Sequence, residues 1–191
     1  MARVGQLLDE GDEQIEFLAT AADTGGSLIR CRVSVAPRRP APPQHSHPRQ
    51  VEEFSVEKGR LGYVLGHASL EAGPGERVTV PAGVNHTFWN AGDAPLVVVT
   101  EVRPALHFED FVETIHVLIR DGRLAAGGGR PNPLMLAVVA DAYRQEWRLT
   151  GMSPVVRVLL PLLAAVGRRA GHRGHYSADG EEAASETAPA L

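Results

Sequence analysis

Three histidines and one glutamate are the residues of this chain whose types and spacing favour metal chemistry. His45 and His47 are two positions apart, Glu52 follows five residues later, and His86 comes after a Pro-Ala-Gly turn. Side chains at i and i+2 of an extended segment point to the same face, so both imidazoles of the pair can reach one point. Imidazole with one carboxylate suits iron, manganese, nickel, zinc or copper, and it leaves positions open for substrate or oxygen.

The segment that must position these side chains is predicted to consist of short strands. Residues 29–35 alternate strictly between apolar and polar types, and Phe54 and Val56 alternate with polar neighbours in the same way. Turns rich in Gly and Pro recur between such runs. This pattern favours an all-β sandwich or barrel. The alternation also places Glu52 inward and its neighbour Glu53 outward.

The following segment has helical periodicity. Apolar residues from Phe108 to Ile119 recur at helical spacing, Asn132-Pro133 opens a helix to about Trp147, and Ser153-Pro154 opens another. The apolar run from Val155 to Val166 falls short of the ~20 residues of a membrane span. We expect it to pack on the outer face of the β domain. A lid, a dimer contact and a membrane-interface helix are the alternatives.

Composition restricts the partners and the compartment. The chain has 191 residues and a net charge of −4, so it has no general attraction to nucleic acid. Cys31 is the one cysteine, which excludes an internal disulfide, and no signal peptide is visible. We expect a cytoplasmic protein, a homodimer, with a small-molecule substrate and no membrane span. Gly127–Gly129 is predicted to be a flexible joint, and residues 177–191 a disordered tail.

Two motifs then identify a family. The first runs from His45 to Gly59 as H-x-H-x4-E-x6-G, and the second runs from Gly75 to Asn90 as G-x5-P-x-G-x2-H-x3-N. This chain resembles the cupin superfamily, specifically small bacterial single-domain cupins with a germin-like metal site. The resemblance covers about residues 25–103. It departs at Arg39, where a glycine is expected.

The resemblance implies a double-stranded β-helix, or jelly-roll, barrel that holds one divalent transition metal of unspecified identity. The implied ligands are His45, His47, Glu52 and His86. We assign residues 14–105 to the cupin barrel, 106–176 to a C-terminal α-helical extension and 177–191 to the tail. Pro81 and Gly83 are expected to form a type II turn with positive φ at the glycine.

The activity implied by the resemblance is that of a metal-dependent oxidoreductase, dioxygenase-like, acting on a small organic molecule. Glu52 and Tyr63 are the candidate catalytic residues, since Glu52 can act as a base and Tyr63 faces inward. Phe54, Tyr63 and Phe88 are the predicted substrate pocket. A redox-neutral isomerase or polyketide-type cyclase that uses the metal as a Lewis acid is one alternative. A non-catalytic small-molecule or metal-binding cupin is the other.

Overall fold

The structure is a computed structural model, which describes residues 2–124, 132–151 and 153–177. The predicted joint at Gly127–Gly129 lies outside the described residues, as does the predicted tail from residue 178 onward. The described strands are β1 (Leu7–Asp9), β2 (Glu13–Ala19), β3 (Ile29–Val35), β4 (His45–Ser46), β5 (Val51–Lys58), β6 (Leu61–Leu65), β7 (Ala68–Ala72), β8 (Arg77–Val80), β9 (His86–Asn90), β10 (Leu96–Arg103) and β11 (Arg148–Leu149). The described helices are α1 (Phe108–Arg120), α2 (Pro133–Ala142) and α3 (Pro154–Arg169).

The strands form two antiparallel sheets. The six-stranded sheet has the order β1-β2-β3-β10-β5-β8, and the five-stranded sheet has the order β11-β4-β9-β6-β7. This confirms the all-β jelly-roll fold with C-terminal helices. The two sheets are not joined into one hydrogen-bonded barrel, which is the two-sheet form of a jelly roll. Strand β1 lies before the predicted domain start at residue 14.

The core lies on the inward faces of both sheets. Strand β3 buries every second side chain, from Ile29 to Val35, and its Val33 lies opposite the buried Val98 of β10. Leu61 of the other sheet belongs to the same apolar cluster. Cys31 on the same strand is buried, and burial raises the pKa of its thiol to about 12. Strict alternation therefore identifies the faces of these strands correctly.

The helical segment differs from its prediction in two places. The Asn132 side chain caps α2 as expected, but α2 ends at Ala142, before the predicted end near Trp147. The chain turns there because residues 148–149 join the sheet as strand β11. Helix α3 starts where it was predicted to start, and the Ser153 side chain caps its N-terminus.

The prediction that α3 packs on the β domain is wrong. It buries only small residues, Ala164 and Gly167, and it packs against α2. A Cβ at Gly167 would lie 2.7 Å from the Leu134 carbonyl oxygen, so this glycine permits the close approach of the two helices. Most of the large aliphatic side chains of α3 are exposed to solvent in the single chain. None of the helices that the structure describes is long and apolar enough to cross a membrane.

Candidate metal centre

The four predicted ligands lie between the two sheets. His45 on β4 is the register partner of His86 on β9, and Glu52 projects from β5 of the other sheet. His47 lies just beyond β4. The four residues are 2–7% exposed. One ligand atom from each lies within 4.8 Å of those of the others, so the topology brings both motifs to one point.

The turn of the second motif helps to fix this arrangement. Gly83 has φ +77°, as the predicted turn requires. Its backbone N–H donates to the His47 carbonyl oxygen at 2.8 Å. The Pro-Ala-Gly turn therefore ties the chain that leads into His86 to the segment that carries His47.

Backbone carbonyls determine the tautomers of the three histidines. The Nδ1 atoms of His45, His47 and His86 lie 2.9, 2.6 and 3.0 Å from the carbonyl oxygens of Pro43, Glu146 and Val84. A carbonyl only accepts, so each Nδ1 carries the proton and donates it. In a neutral imidazole this leaves a lone pair on Nε2, which is the arrangement of a metal-ligating histidine.

The free nitrogens converge on a carboxylate. Glu52 Oε2 lies 3.0 Å from Nε2 of His86 and 3.3 Å from Nε2 of His47. All three atoms are buried, and none has a hydrogen bond of acceptable geometry in the described chain. Unprotonated Nε2 lone pairs facing a carboxylate oxygen repel one another, and buried unsatisfied polar atoms are costly. A divalent cation among them removes both penalties, so these residues fit a metal.

The pKa shifts of His45 and Glu52 agree with this donor set. Burial, followed by the neighbouring His86 and His47, lowers the pKa of His45 to about 4, so it is neutral at neutral pH. Burial alone would raise the pKa of Glu52, but the two adjacent imidazoles outweigh it and hold that pKa well below its usual range. Burial also opposes protonation of His47, whose pKa is nevertheless raised by the Glu52 carboxylate. The site therefore offers an ionised carboxylate.

The helical extension contacts two of the candidate ligands, His45 and His47, which the sequence motifs did not reveal. Trp147 stacks on His45 with ring centroids 5.6 Å apart, and Phe108 meets His47 edge-on at 5.2 Å. The Glu146 carbonyl receives the His47 Nδ1–H. Strand β11 pairs with β4, and Leu149 lies opposite His45. The one sequence signal for these contacts was the presence of an aromatic residue, Phe108 or Trp147, at an end of a predicted helix. Such a signal is too weak to indicate a site.

The predicted pocket residues lie beside the ligands. Phe88 is two positions after His86 on β9, and Tyr63 of β6 is its cross-strand partner. Phe54 is two positions after Glu52 on β5, and its ring lies 5.1 Å from that of Phe88. All three residues belong to or pack against the apolar core. They thus border the site on its apolar side, and their role with substrate stays a prediction.

Comparison with known proteins agrees with this geometry. Residues 31–102 match the family model described as a cupin domain. No curated protein matches the chain.

Similar solved structures include KdgF from a Halomonas species, at 19% identity and TM-score 0.45, covering 52% of this chain and 87% of that one. Another is the polyketide cyclase RemF from Streptomyces resistomycificus, at 23% and 0.45, covering 54% and 79%. A third is a predicted oxalate decarboxylase from Thermotoga maritima, at 14% and 0.48, covering 55% and 98%.

The family model, the two motifs and the order of the strands all describe the same part of the chain. The chain contains a cupin domain, matched over residues 31–102.

Proposed function

We propose that this protein is a metal-dependent enzyme of dioxygenase-like type that acts on a small organic molecule. The observation that carries the proposal is the set of buried, unsatisfied donor atoms on His47, Glu52 and His86, with His45 beside them. Fe, Mn, Ni, Zn and Cu all suit such a donor set. A bound metal would supply a Lewis acid and, for a redox-active ion, a route to oxygen chemistry.

The residues of the chain have separate roles in this proposal. His45, His47, Glu52 and His86 would hold the ion, with the backbone carbonyls keeping each imidazole in its ligating tautomer. Glu52 is the one carboxylate among them and would accept a substrate proton when its oxygen is not needed as a ligand. Phe54 and Phe88 would exclude water from the apolar side of the site.

Tyr63 is the proposed proton donor or substrate-positioning residue. Its strand partner Phe88 places it about 7 Å along the sheet from the level of His86, because residues two apart on a strand are separated by about 6.8 Å. This separation is why we assign it to substrate and not to the set of four side chains whose ligand atoms converge.

Oxygen consumption tests the reaction class. The full chain loaded with Fe(II), and separately with Mn, Ni, Zn or Cu, is incubated with a panel of small enolic and carboxylate compounds in an oxygen electrode. Uptake of oxygen with substrate, absent in Glu52→Ala, supports the dioxygenase-like assignment. Product formation without oxygen uptake would contradict it and favour the redox-neutral isomerase or cyclase. Binding without any product would favour a non-catalytic cupin.

We also propose that the protein is a cytoplasmic homodimer whose interface includes α3. Seven large aliphatic side chains of this helix are 39–78% exposed: Val155, Val156, Val158, Leu159, Leu162, Leu163 and Val166. They present on the order of 600 Å², against the roughly 800 Å² per partner of a standard interface. A monomer seldom exposes so large an apolar patch. The same face of α3 in a second copy of the chain would cover this patch with an equally apolar surface.

A further inference from the structure

A second cluster of ligand-type side chains lies on α1, away from the cupin site. Asp110 and Glu113 are three residues apart on this helix, so both side chains lie on one face. His175 belongs to the segment that follows α3. One ligand atom from each of these three residues lies within 4.8 Å of those of the other two.

The buried member of the cluster has an unsatisfied oxygen. Glu113 is 1% exposed, and its Oε1 accepts a hydrogen bond from the side-chain amide of Gln6 at 2.6 Å. Its Oε2 is buried and has no hydrogen-bond partner in the described part of the chain. A buried carboxylate oxygen without a partner is costly, and the neighbouring carboxylate of Asp110 adds a second negative charge. Asp110 also lies 3.5 Å from Nδ1 of the exposed His107, and a cation between the two acids would offset the charge of both.

The histidine of the cluster is held by a hydrogen-bonded chain. His175 Nδ1 lies 3.0 Å from the Tyr143 hydroxyl, which lies 3.1 Å from Thr114 Oγ1. Burial, reinforced by the Asp110 and Glu113 carboxylates, raises the pKa of Tyr143, so its hydroxyl keeps its proton. Thr114 Oγ1 also lies 3.4 Å from His175 Nδ1. In the arrangement that a metal at Nε2 requires, the Tyr143 hydroxyl donates to Thr114 and His175 Nδ1–H donates to the tyrosine oxygen. That tautomer leaves Nε2 as a ligand atom, and the hydrogen bond on the other nitrogen is the usual support of a metal-bound histidine.

We propose that Asp110, Glu113 and His175 form a second divalent-metal site, separate from the cupin centre, which takes Zn²⁺. Two carboxylate oxygens and one imidazole nitrogen are ligands of this ion, whereas Mg²⁺ and Ca²⁺ prefer oxygen alone. The side chain of Asp110 is 25% exposed, so the ion can enter from solvent. Three protein ligands leave the fourth position to water.

The site would fasten the segment that follows α3 to helix α1. His175 is distant in sequence from α1, and the next residue, Tyr176, donates its backbone N–H to Thr114 Oγ1 at 3.1 Å. A metal that joins His175 to Asp110 and Glu113 adds a strong bond to this contact. Its expected effect is structural: it holds the segment after α3 against α1.

Zinc content measures the site directly. The full chain and its variants are equilibrated with Zn²⁺, freed of excess metal and assayed by elemental analysis. We expect Glu113→Gln, Asp110→Asn and His175→Ala each to lose about one equivalent per chain relative to the wild type. Asp121→Asn removes an exposed carboxylate at the end of α1 and is the matched control, which should lose none.

The double variant His47→Ala/Glu113→Gln separates this site from the cupin centre, since the two losses should add. Circular dichroism of each variant establishes that it is folded. Because Asp110 and His175 are only partly buried, their variants report on the site even if Glu113→Gln disturbs the core. Unchanged zinc in Asp110→Asn and His175→Ala would overturn the proposal. A wild type whose only zinc is lost in His47→Ala would overturn it as well.

Discussion

Arg39 stands where the first cupin motif usually has glycine, and it organises an acidic cluster. Its guanidinium lies 2.7 Å from Glu10, 2.8 Å from Glu13 and 3.2 Å from Asp12. Burial nevertheless raises the pKa of Glu13 to about 7, with Glu10 and Asp12 adding to the effect and Arg39 opposing it. This carboxyl therefore carries its proton in the folded state at a pH where the unfolded chain has lost it.

That shift predicts a pH dependence of stability. A carboxyl with a raised pKa binds more protons folded than unfolded between pH ~4.5 and ~7, so stability falls as pH rises through this window. We expect Glu13→Gln to lack this fall, which is on the order of 2 kcal/mol. Urea unfolding of both proteins at pH 5 and pH 8 measures it. An equal change in wild type and variant between the two pH values would contradict the assignment.

At the residue scale, the clustering of the four candidate ligands could be predicted because its information is local. His45, His47 and Glu52 lie within one strand-turn-strand segment, and the alternation of apolar residues decides that Glu52, not Glu53, faces inward. The tautomers could not be predicted. They depend on carbonyls brought in by the fold, including that of Glu146, which is 99 residues from His47.

At the element scale, strand β11 connects the helical extension to strand β4, which carries His45. It is only two residues long, and so it shows no periodicity in the sequence. The helical signals from Asn132 onward predicted a helix to about Trp147, whereas α2 ends at Ala142 and residues 148–149 pair with β4. The extension is consequently part of the metal centre's surroundings, which the position of the motifs alone does not indicate.

Trp147 tests this role of the extension. Its ring stacks on His45, so Trp147→Ala should free that imidazole to rotate and weaken metal binding about 10-fold, a typical loss for a residue that supports a ligand. Trp147→Phe should restore most of the affinity. Competition with a chromophoric chelator measures the dissociation constant.

Trp89 provides the control, because it packs against Gly62 and alternates with His86 and Phe88 on β9. Trp89→Ala should cost stability and leave the metal dissociation constant unchanged. An equal loss of affinity in both tryptophan variants would show a general effect of destabilisation and contradict the specific role of Trp147.

At the scale of the whole molecule, α3 leaves an apolar face without a partner in one chain. The helix meets α2 through small residues, and seven of its large aliphatic side chains are exposed. The sequence predicted burial of these leucines because an apolar run is usually covered. Periodicity identifies a face that must be covered, but it does not say whether the same chain or another copy covers it.

Sedimentation velocity tests the dimer. The wild type should sediment as a dimer, and Leu162→Asp, at a position that is 62% exposed, should sediment as a folded monomer because the charge enters the interface. Leu70→Asp, on an exposed edge strand, should leave the dimer intact. A monomeric wild type would contradict the proposal. If that monomer bound anionic vesicles through α3, the face would instead be a membrane-interface surface.

The metal content of two histidine variants tests the central claim most directly. His47 is buried with its Nε2 beside Glu52, whereas His67 is exposed between β6 and β7. In protein purified without added metal, elemental analysis should find about one equivalent of a transition metal fewer in folded His47→Ala than in the wild type. His67→Ala should match the wild type. Equal metal content in folded His47→Ala and the wild type would contradict a metal centre at His45, His47, Glu52 and His86.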